Sequence, residues 1–143
     1  TAYDIPLRLV GSEMCIRDSP FIVVSPGIAK AGLRNNQPIS HVDIYPSLCD
    51  FAGIPKPTHL EGRSILPLLK DPSATRDVAF LSYGPENTAA QSERYRYLRY
   101  EDGSEELYDH QKDPHEWTNL IGDKKYKKIT KKMRAQVLTF EKK

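Results

Sequence analysis

The sequence predicts an α+β fold, in which a first half of mixed strand and helix is followed by a roughly four-stranded antiparallel sheet and a terminal helix. Two patterns carry this prediction. Residues 94–100 alternate between Arg or Leu and Tyr with a period close to two, which is typical of a strand. After Asp123, apolar residues recur every three or four positions, which is typical of an amphipathic helix. The 143 residues, 38% of them hydrophobic and 28% charged, have the size and composition of a globular domain.

Composition also excludes several protein classes. The longest apolar runs, at 21–24 and 65–69, are far below the roughly 20 residues of a membrane-spanning helix, so no span is expected. The first residues lack the basic start and apolar run of a signal peptide. Cys15 and Cys49 show no repeated spacing, which supports neither a disulfide framework nor a zinc cluster.

The first nineteen residues differ from the rest. Apart from a short strand predicted over Ile5–Val10, they show neither helical nor strand periodicity, and residues 10–19 resemble a translated sequencing adapter. We treat residues 1–19 as a doubtful leader and expect the natural protein to start near Pro20. The next segment, Pro20–Gly27, is a β-rich apolar run closed by Pro-Gly, which predicts a buried strand and a turn.

Residues 38–53 predict a capped helix. Ser40 and Asp43 have the spacing of a capping box, and Gly53 suits the left-handed position that ends a helix. Pro46 predicts a kink or a later start, because proline is unfavourable deep inside a helix. The expected buried face consists of Val42, Tyr45, Leu48, Cys49 and Ala52.

Turn residues then divide the chain into short elements. After a rigid connector at 55–58, residues 61–70 predict a glycine turn and a short helix that Asp71-Pro72 ends. Asp102-Gly103 predicts a hairpin turn, since Gly readily adopts positive φ. The predicted strands are Val78–Tyr83, Thr88–Ser92, Arg94–Tyr100 and Glu105–Asp109.

The C-terminal part combines a connector with a basic helix. We expect Trp117 and Leu120 to pin the connector to the core. Residues 123–143 hold 9 Lys+Arg against 2 Asp+Glu, whereas residues 1–122 hold 12 against 17. The lysines fill the faces of the terminal helix that its apolar stripe leaves free, so a solvated face explains them better than a nucleic-acid contact.

A family resemblance rests on the order of short motifs over Pro20 to roughly Met133. In sequence, the motifs include Ser25-Pro26-Gly27, Ser40-His41-Val42-Asp43-Ile44-Tyr45-Pro46, Leu60-Glu61-Gly62-Arg63-Ser64, Glu106-Leu107-Tyr108-Asp109 and Asp113-Pro114-x-Glu116-x-x-Asn119-Leu120. This order resembles the sulfatase family of the alkaline-phosphatase-like superfamily. It is most similar to the iduronate-2-sulfatase-like branch of bacterial sulfatases.

The resemblance implies a C-terminal fragment of a longer enzyme. Residues 20–75 would be the end of an α/β sulfatase domain, and residues 76–143 a C-terminal subdomain of antiparallel sheet plus helix. Family members hydrolyse sulfate esters of carbohydrate or aryl substrates with calcium and with a formylglycine made from Cys or Ser in a Cys/Ser-x-Pro/Ala-x-Arg motif. Neither cysteine here fits that motif, because Arg17 lies two residues after Cys15 and Phe51 two after Cys49.

The fragment alone is therefore predicted to be inactive, and no catalytic or metal-binding residue is assigned to it. The parent would hold calcium and formylglycine and act on a sulfated carbohydrate or aryl substrate. Arg94 and Arg96 are the candidate substrate-binding residues, because guanidinium groups suit sulfate oxygens. Cross-strand contacts with extended arginines explain the same pattern.

Other polar residues favour structural roles. His41 and Asp43 are interpreted as packing or capping a helix start. Glu105 and Glu106 are adjacent in a strand, so they point to opposite faces and cannot form a close acid pair.

Two other functions stay open at this point. One is a non-catalytic sheet-and-helix module that binds anionic glycans or a partner subunit through Arg94, Arg96 and the Lys-rich helix. The other is a different hydrolase of the same superfamily.

Overall fold

The computed structural model describes residues 19–29, 31–84 and 86–142. The predicted strand at 5–10, Cys15 and nearly all of the adapter-like stretch lie outside the described residues. The chain divides into two units, with the boundary in the sequence between Ala31 and Gly32. None of the helices in the described part of the chain combines the length and the apolarity that crossing a bilayer requires.

In the first unit, the predicted turn is present and the predicted buried strand is wrong. Ile28 N donates to Ser25 O at 3.1 Å, and Gly27 has a positive φ of 81°. Residues 20–24 form no strand, and Phe21, Ile22 and Val24 are exposed. A buried strand needs neighbouring strands for its N–H and C=O groups, and none pairs with this segment within the described ranges.

The predicted capped helix is confirmed in the second unit. A 3₁₀ turn over His41–Asp43 leads into α1, which spans Ile44–Ala52 and ends at Gly53 with φ of 64°. Ser40 N donates to Asp43 Oδ2 at 2.8 Å, as the capping-box spacing predicts. Pro46 lies in the first turn of α1, where its missing N–H costs no helical hydrogen bond.

The predicted buried face of α1 is wrong except for Cys49. Val42, Tyr45, Leu48 and Ala52 are exposed, and the buried residues are Asp43, Pro46, Ser47 and Cys49. The reason is that the side of α1 with these buried residues packs against α2, which is the short helix Leu66–Lys70. The same side also contacts the segment before α2. Periodicity marks apolar stripes, but the neighbouring chain selects which side is covered.

The four predicted strands are confirmed. They are β1 (Ala79–Ser82), β2 (Thr88–Gln91), β3 (Tyr95–Arg99) and β4 (Glu105–Asp109). They form an antiparallel meander in the order β1-β2-β3-β4, in which Phe80, Ala90, Tyr97 and Leu107 lie side by side. The hairpin turn after β3 closes as predicted, with Gly103 at φ of 81° and Tyr100 N donating to Ser104 O.

The core lies between this sheet and the terminal helix. After a 3₁₀ turn over Lys124–Tyr126, α3 spans Lys127–Phe140 and buries Met133 and Val137. Phe140 stacks on Phe80 with ring centroids 4.4 Å apart. The buried core cluster consists of Val78, Ala90, Tyr97, Leu107, Met133 and Val137. The predicted α+β architecture of sheet plus terminal helix is confirmed.

The connector between β4 and α3 follows the prediction only in part. Leu120 packs against the core, and its N–H donates to Leu107 O at 2.8 Å. Trp117 is instead 84% exposed and stacks on His115 with centroids 5.1 Å apart. Asn119 explains why Leu120 is packed and Trp117 is not. Its side chain forms hydrogen bonds with the backbone of Leu107 and Glu105, so the connector is attached to β4 only after Trp117.

Candidate functional site

Asp43 is the centre of a buried polar cluster. It is 3% exposed, and its carboxylate accepts hydrogen bonds from Ser40 N, from Arg63 N and from Arg76 Nη1, each at 2.8 Å. Burial raises the pKa of the Asp43 carboxyl, but these hydrogen bonds and the charge of Arg76 outweigh it, so the pKa is lowered. Asp43 is thus an ionised structural group with satisfied oxygens, in agreement with its interpretation as a helix-capping residue.

Two further contacts join the motif at 40–47 to the motif at 60–65. Ser47 Oγ donates to Asp43 O at 2.5 Å and accepts from Ile65 N at 2.9 Å. A Cβ at Gly62 would lie 1.9 Å from Val42 O, so only glycine allows this approach of the two backbones. Two of the motifs that carry the family resemblance, Ser40–Pro46 and Leu60–Ser64, therefore pack directly against each other.

A cleft of about 560 Å³ lies beside the Asp43 cluster and α3. Arg63, Arg76 and Lys132 line it together with acidic residues. Arg76 pairs with Asp43, Lys132 pairs with Asp77 at 2.8 Å, and Arg63 donates to Val78 O. Burial lowers the pKa of the Arg63 guanidinium. The charges of the cleft are largely balanced within the domain, which does not favour a site for a highly charged polyanion.

Arg94, the first predicted substrate-binding residue, forms a bidentate ion pair with Asp109. Arg94 Nε lies 2.8 Å from Oδ1, and Nη2 lies 2.7 Å from Oδ2. Asp109 is fully buried, and the hydrogen bonds from Arg94 lower the pKa of its carboxyl despite that burial. The Arg94 side chain is 36% exposed, and its guanidinium carbon lies 4.8 Å from the centre of the Tyr95 ring.

Arg96, the second predicted residue, is more enclosed. Its Nη1 lies 3.0 and 3.3 Å from the two carboxylate oxygens of Glu116, and its side chain is 12% exposed. His110 Nε2 lies 2.5 Å from Glu116 Oε1 on the same carboxylate. Glu116 has a positive φ of 58°, a backbone conformation that non-glycine residues rarely adopt. Arg94 and Arg96 thus hold separate carboxylates, and substrate binding by either stays a prediction.

The two adjacent glutamates of β4 take part in separate hydrogen-bond groups. Glu105 accepts from Tyr97 Oη at 2.6 Å and pairs with Arg134 of α3. Glu106 accepts from the hydroxyls of Tyr100 and Tyr108 at 3.2 and 3.0 Å. The hydrogen bond from Arg134 lowers the pKa of the Glu105 carboxyl. Burial and the hydrogen bond to Glu105 raise the pKa of the Tyr97 hydroxyl. The expected separation of the two carboxylates is confirmed.

The remaining residues with side chains suited to catalysis or metal binding differ in their exposure. His41 is exposed and Cys49 is buried. Within residues 19–29, 31–84 and 86–142, no group of three or more His, Cys, Asp or Glu side chains is arranged to hold a metal ion. Sequence reasoning missed the parts of Arg63, Arg76 and Ser47 in the Asp43 cluster. The only signal for these contacts in the sequence was the order of the motifs. Local patterns do not reach so far, because Arg63 and Arg76 lie 20 and 33 positions from Asp43.

Comparison with known proteins gives these contacts a family context. The family described as N-sulphoglucosamine sulphohydrolase, C-terminal, matches residues 8–143. This match includes residues 8–19, which the short motifs did not cover. A Delta 4,5-hexuronate-2-O-sulfatase of Bacteroides thetaiotaomicron is 35% identical over 132 residues, which cover 81% of this chain and 27% of that protein.

Two solved structures are similar in fold as well as in sequence. A 2-O GAG sulfatase has a TM-score of 0.53 and 34% identity, and the match covers 68% of this chain and 23% of that one. A phosphonate monoester hydrolase of Agrobacterium radiobacter has a TM-score of 0.55 and 28% identity, over the same shares of the two chains. The chain spans less than a third of the curated relatives that it matches. It belongs to the sulfatase family, of which it carries the C-terminal domain.

Proposed function

We propose that the full-length protein hydrolyses sulfate esters of a carbohydrate and that this chain is its non-catalytic C-terminal domain. The observation that carries the proposal is the match of residues 8–143 to a sulfatase C-terminal family, together with 35% identity to a hexuronate-2-O-sulfatase. The structure supports the non-catalytic role, because the buried carboxylates of two of the motifs, Asp43 and Asp109, are engaged in ion pairs. Both oxygens of Asp109 accept from Arg94, and those of Asp43 accept from the Arg76 side chain and from the backbone N–H groups of Ser40 and Arg63.

Formylglycine and calcium, which the resemblance implies, belong in this proposal to the part of the protein that precedes this chain. The residues described do not fit either group. Cys49 is buried, and Phe51 stands where the modification motif requires Pro or Ala. Asp43, the buried carboxylate of the Ser40–Pro46 motif, is already held by arginine and backbone N–H groups.

We further propose the domain division that the resemblance implies, with residues 20–75 as the end of the α/β domain and residues 76–143 as the C-terminal subdomain. The continuous meander of β1 to β4 and its coverage by α3 support the second part. The two parts are joined within the second unit by the contacts of Arg76 with Asp43 and of Arg63 with Val78.

Arg94 is the better proposed contact for a substrate sulfate, because its side chain is 36% exposed and that of Arg96 only 12%. In the full-length enzyme, Arg94→Lys should raise KM for the sulfated sugar with little change in kcat, since Lys keeps the charge and loses the fork geometry. Arg99→Lys is the matched control, because Arg99 also pairs with a carboxylate, that of Glu141 at 3.0 Å. Equal KM values for the two variants would rule out the contact.

A second candidate function is hydrolysis of a phosphonate or phosphate monoester, which the 28% identity to a phosphonate monoester hydrolase favours. That similarity lies in the same C-terminal portion, so this domain does not discriminate between the two reactions. The alternative of a free glycan-binding module is not favoured, because the relatives carry this domain within much longer sulfatases.

The deciding experiment compares three substrates on the purified full-length protein. We expect release of sulfate from a uronate 2-sulfate disaccharide and from a chromogenic aryl sulfate, and much slower hydrolysis of an aryl phosphonate. Preferred hydrolysis of the phosphonate would establish the second candidate. The 143-residue chain alone should release no sulfate, and measurable turnover by it would overturn the non-catalytic assignment.

A further inference from the structure

The cleft between residues 76–80 and α3 has the size and the lining of a small-molecule site. Its volume of about 560 Å³ lies within the roughly 300–1,000 Å³ of typical ligand pockets. All the residues that line it belong to the second unit, so the cleft is formed within one part of the chain. Its apolar lining includes the stacked rings of Phe80 and Phe140, and its polar lining includes Arg63 and Gln136.

Gln136, on the α3 side of the cleft, carries a hydrogen-bond acceptor that the protein leaves unsatisfied. Its Oε1 is shielded from solvent and accepts no hydrogen bond from any residue that the structure describes. A buried carbonyl without a donor destabilises a fold, so buried polar groups nearly always have a partner. Because Gln136 lines the cleft, a hydroxyl group of a ligand bound there would supply the missing hydrogen bond.

Arg63 is a cation of the cleft without a carboxylate partner in the described ranges. The other basic residues of the cleft are each paired with a carboxylate, whereas the Arg63 guanidinium donates to the backbone oxygen of Val78. Burial and the charge of Arg76 lower the pKa of the Arg63 guanidinium, and the charges of Asp43 and Asp77 offset this only in part. A single anionic group beside Arg63 would stabilise its charged form.

We propose that this cleft binds one sugar ring that carries a single anionic group, either a carboxylate or a sulfate. Arg63 donates to the anionic group, and Gln136 Oε1 accepts from a hydroxyl of the ring. The rings of Phe80 and Phe140 contact its apolar face. The exposed Glu61 also lines the cleft, and its charge disfavours a ligand with several anionic groups. The inference rests on the proposed function, because the proposed carbohydrate substrate is what selects a sugar over other small anions.

Lysine acetylation of the full-length protein, followed by peptide mass spectrometry, measures occupancy of the cleft. Lys132 lines the cleft and is 56% exposed, whereas its neighbour Lys131 is exposed and does not line it. Methyl glucuronide or glucose 6-sulfate should slow acetylation of Lys132 several-fold and leave that of Lys131 unchanged. Protection by only one of the two sugars would identify the preferred anionic group.

Methyl glucoside is the control ligand, because it has the sugar ring without an anionic group. It should protect Lys132 much less than the anionic sugars do. Acetylation of Lys132 that neither anionic sugar slows would overturn the inference. Equal protection by methyl glucoside would also overturn it, because Arg63 would then have no anionic group to bind.

Gln136→Leu tests the part of the unpaired carbonyl. The concentration of anionic sugar that half-protects Lys132 should rise several-fold, because the ring hydroxyl loses its acceptor. The thermal midpoint should stay the same or rise, because the substitution removes a buried acceptor that has no partner. Gln111→Leu is the matched control, since Gln111 is exposed and lies outside the cleft. Unchanged protection in Gln136→Leu, or a midpoint several degrees below that of the control, would overturn the inference.

A sulfate-release assay on the same preparation, with a uronate 2-sulfate disaccharide, separates this inference from the proposed function. Sulfate release by a protein whose Lys132 is not protected by either anionic sugar contradicts only the inference about the cleft. Protection of Lys132 in a protein that releases no sulfate contradicts only the proposed function.

Discussion

Gly62 lies so close to the backbone of Val42 that a Cβ on Gly62 would stand 1.9 Å from Val42 O and 2.4 Å from its carbonyl carbon. The obstacle is backbone at the start of the helical segment, which the Asp43 hydrogen bonds hold in place. No side-chain rotation relieves such a contact, so the two segments would have to move apart. The glycine of the Leu60–Ser64 motif is therefore required by packing and not by a turn conformation.

Gly62→Ala is expected to lower the free energy of unfolding by about 2 kcal/mol, the cost of overfilling a packed site. Gly122→Ala is the matched control, because a Cβ there meets nothing within 4 Å. Urea unfolding followed by circular dichroism measures both variants. A Gly62→Ala protein as stable as the control would show that the approach of Gly62 to Val42 is not maintained in solution.

Ser47→Ala should cost about 2 kcal/mol, because it leaves the buried Ile65 N without the hydroxyl oxygen that accepts its hydrogen bond. Ser73→Ala removes a hydroxyl that bonds only to the exposed Asp71, so its unfolding midpoint should stay close to that of the parent. The two variants are compared by thermal unfolding at equal concentration. Similar losses in both would contradict the role of Ser47 as a bridge.

The Asp43 cluster predicts loss of stability in acid. Because the pKa of Asp43 is lowered in the folded state, its contribution is fully present above the unfolded-state pKa of about 3.9 and is lost as pH falls through the lower folded-state pKa. Asp43→Asn should therefore be clearly destabilising at about pH 7 and much less so at about pH 2. Urea midpoints at the two pH values measure this difference.

Asp77→Asn serves as the control for Asp43, since Asp77 is an exposed carboxylate in a surface pair with Lys132. Its effect on the urea midpoint should be small at both pH values. An Asp43→Asn variant whose loss of stability is the same at both pH values would show that the ionised form of Asp43 is not favoured by folding.

Trp117 is the single tryptophan of the chain and is 84% exposed, so its fluorescence reports on one position. In the 143-residue chain we expect the emission of a solvated indole, quenched efficiently by acrylamide and shifted little when the protein unfolds. Trp117→Phe should leave the unfolding midpoint unchanged, because the Trp117 side chain is mostly exposed and Phe keeps an aromatic ring to stack on His115. A blue-shifted emission that moves to the red on unfolding would contradict the exposed placement.

Local patterns in the sequence determined the regular elements of the second unit. The alternation at 94–100, the Asp102-Gly103 turn and the apolar stripe after Asp123 predicted β3, the hairpin and α3, because strand and helix periodicity depend on near neighbours. The capping pair Ser40 and Asp43 was predictable for the same reason.

Only the tertiary structure decided which apolar surfaces are covered and what holds each charge. The sequence predicts burial of Val42, Tyr45, Leu48 and Trp117, and their exposure follows from contacts between distant segments that periodicity does not encode. The pairing of Asp43 with Arg63 and Arg76 spans 20 and 33 positions, and that of Arg94 with Asp109 depends on strand register. The motif order identified the family, because order along a chain is a property of sequence, while the packing of the Ser40–Pro46 motif against the Leu60–Ser64 motif is a property of the fold.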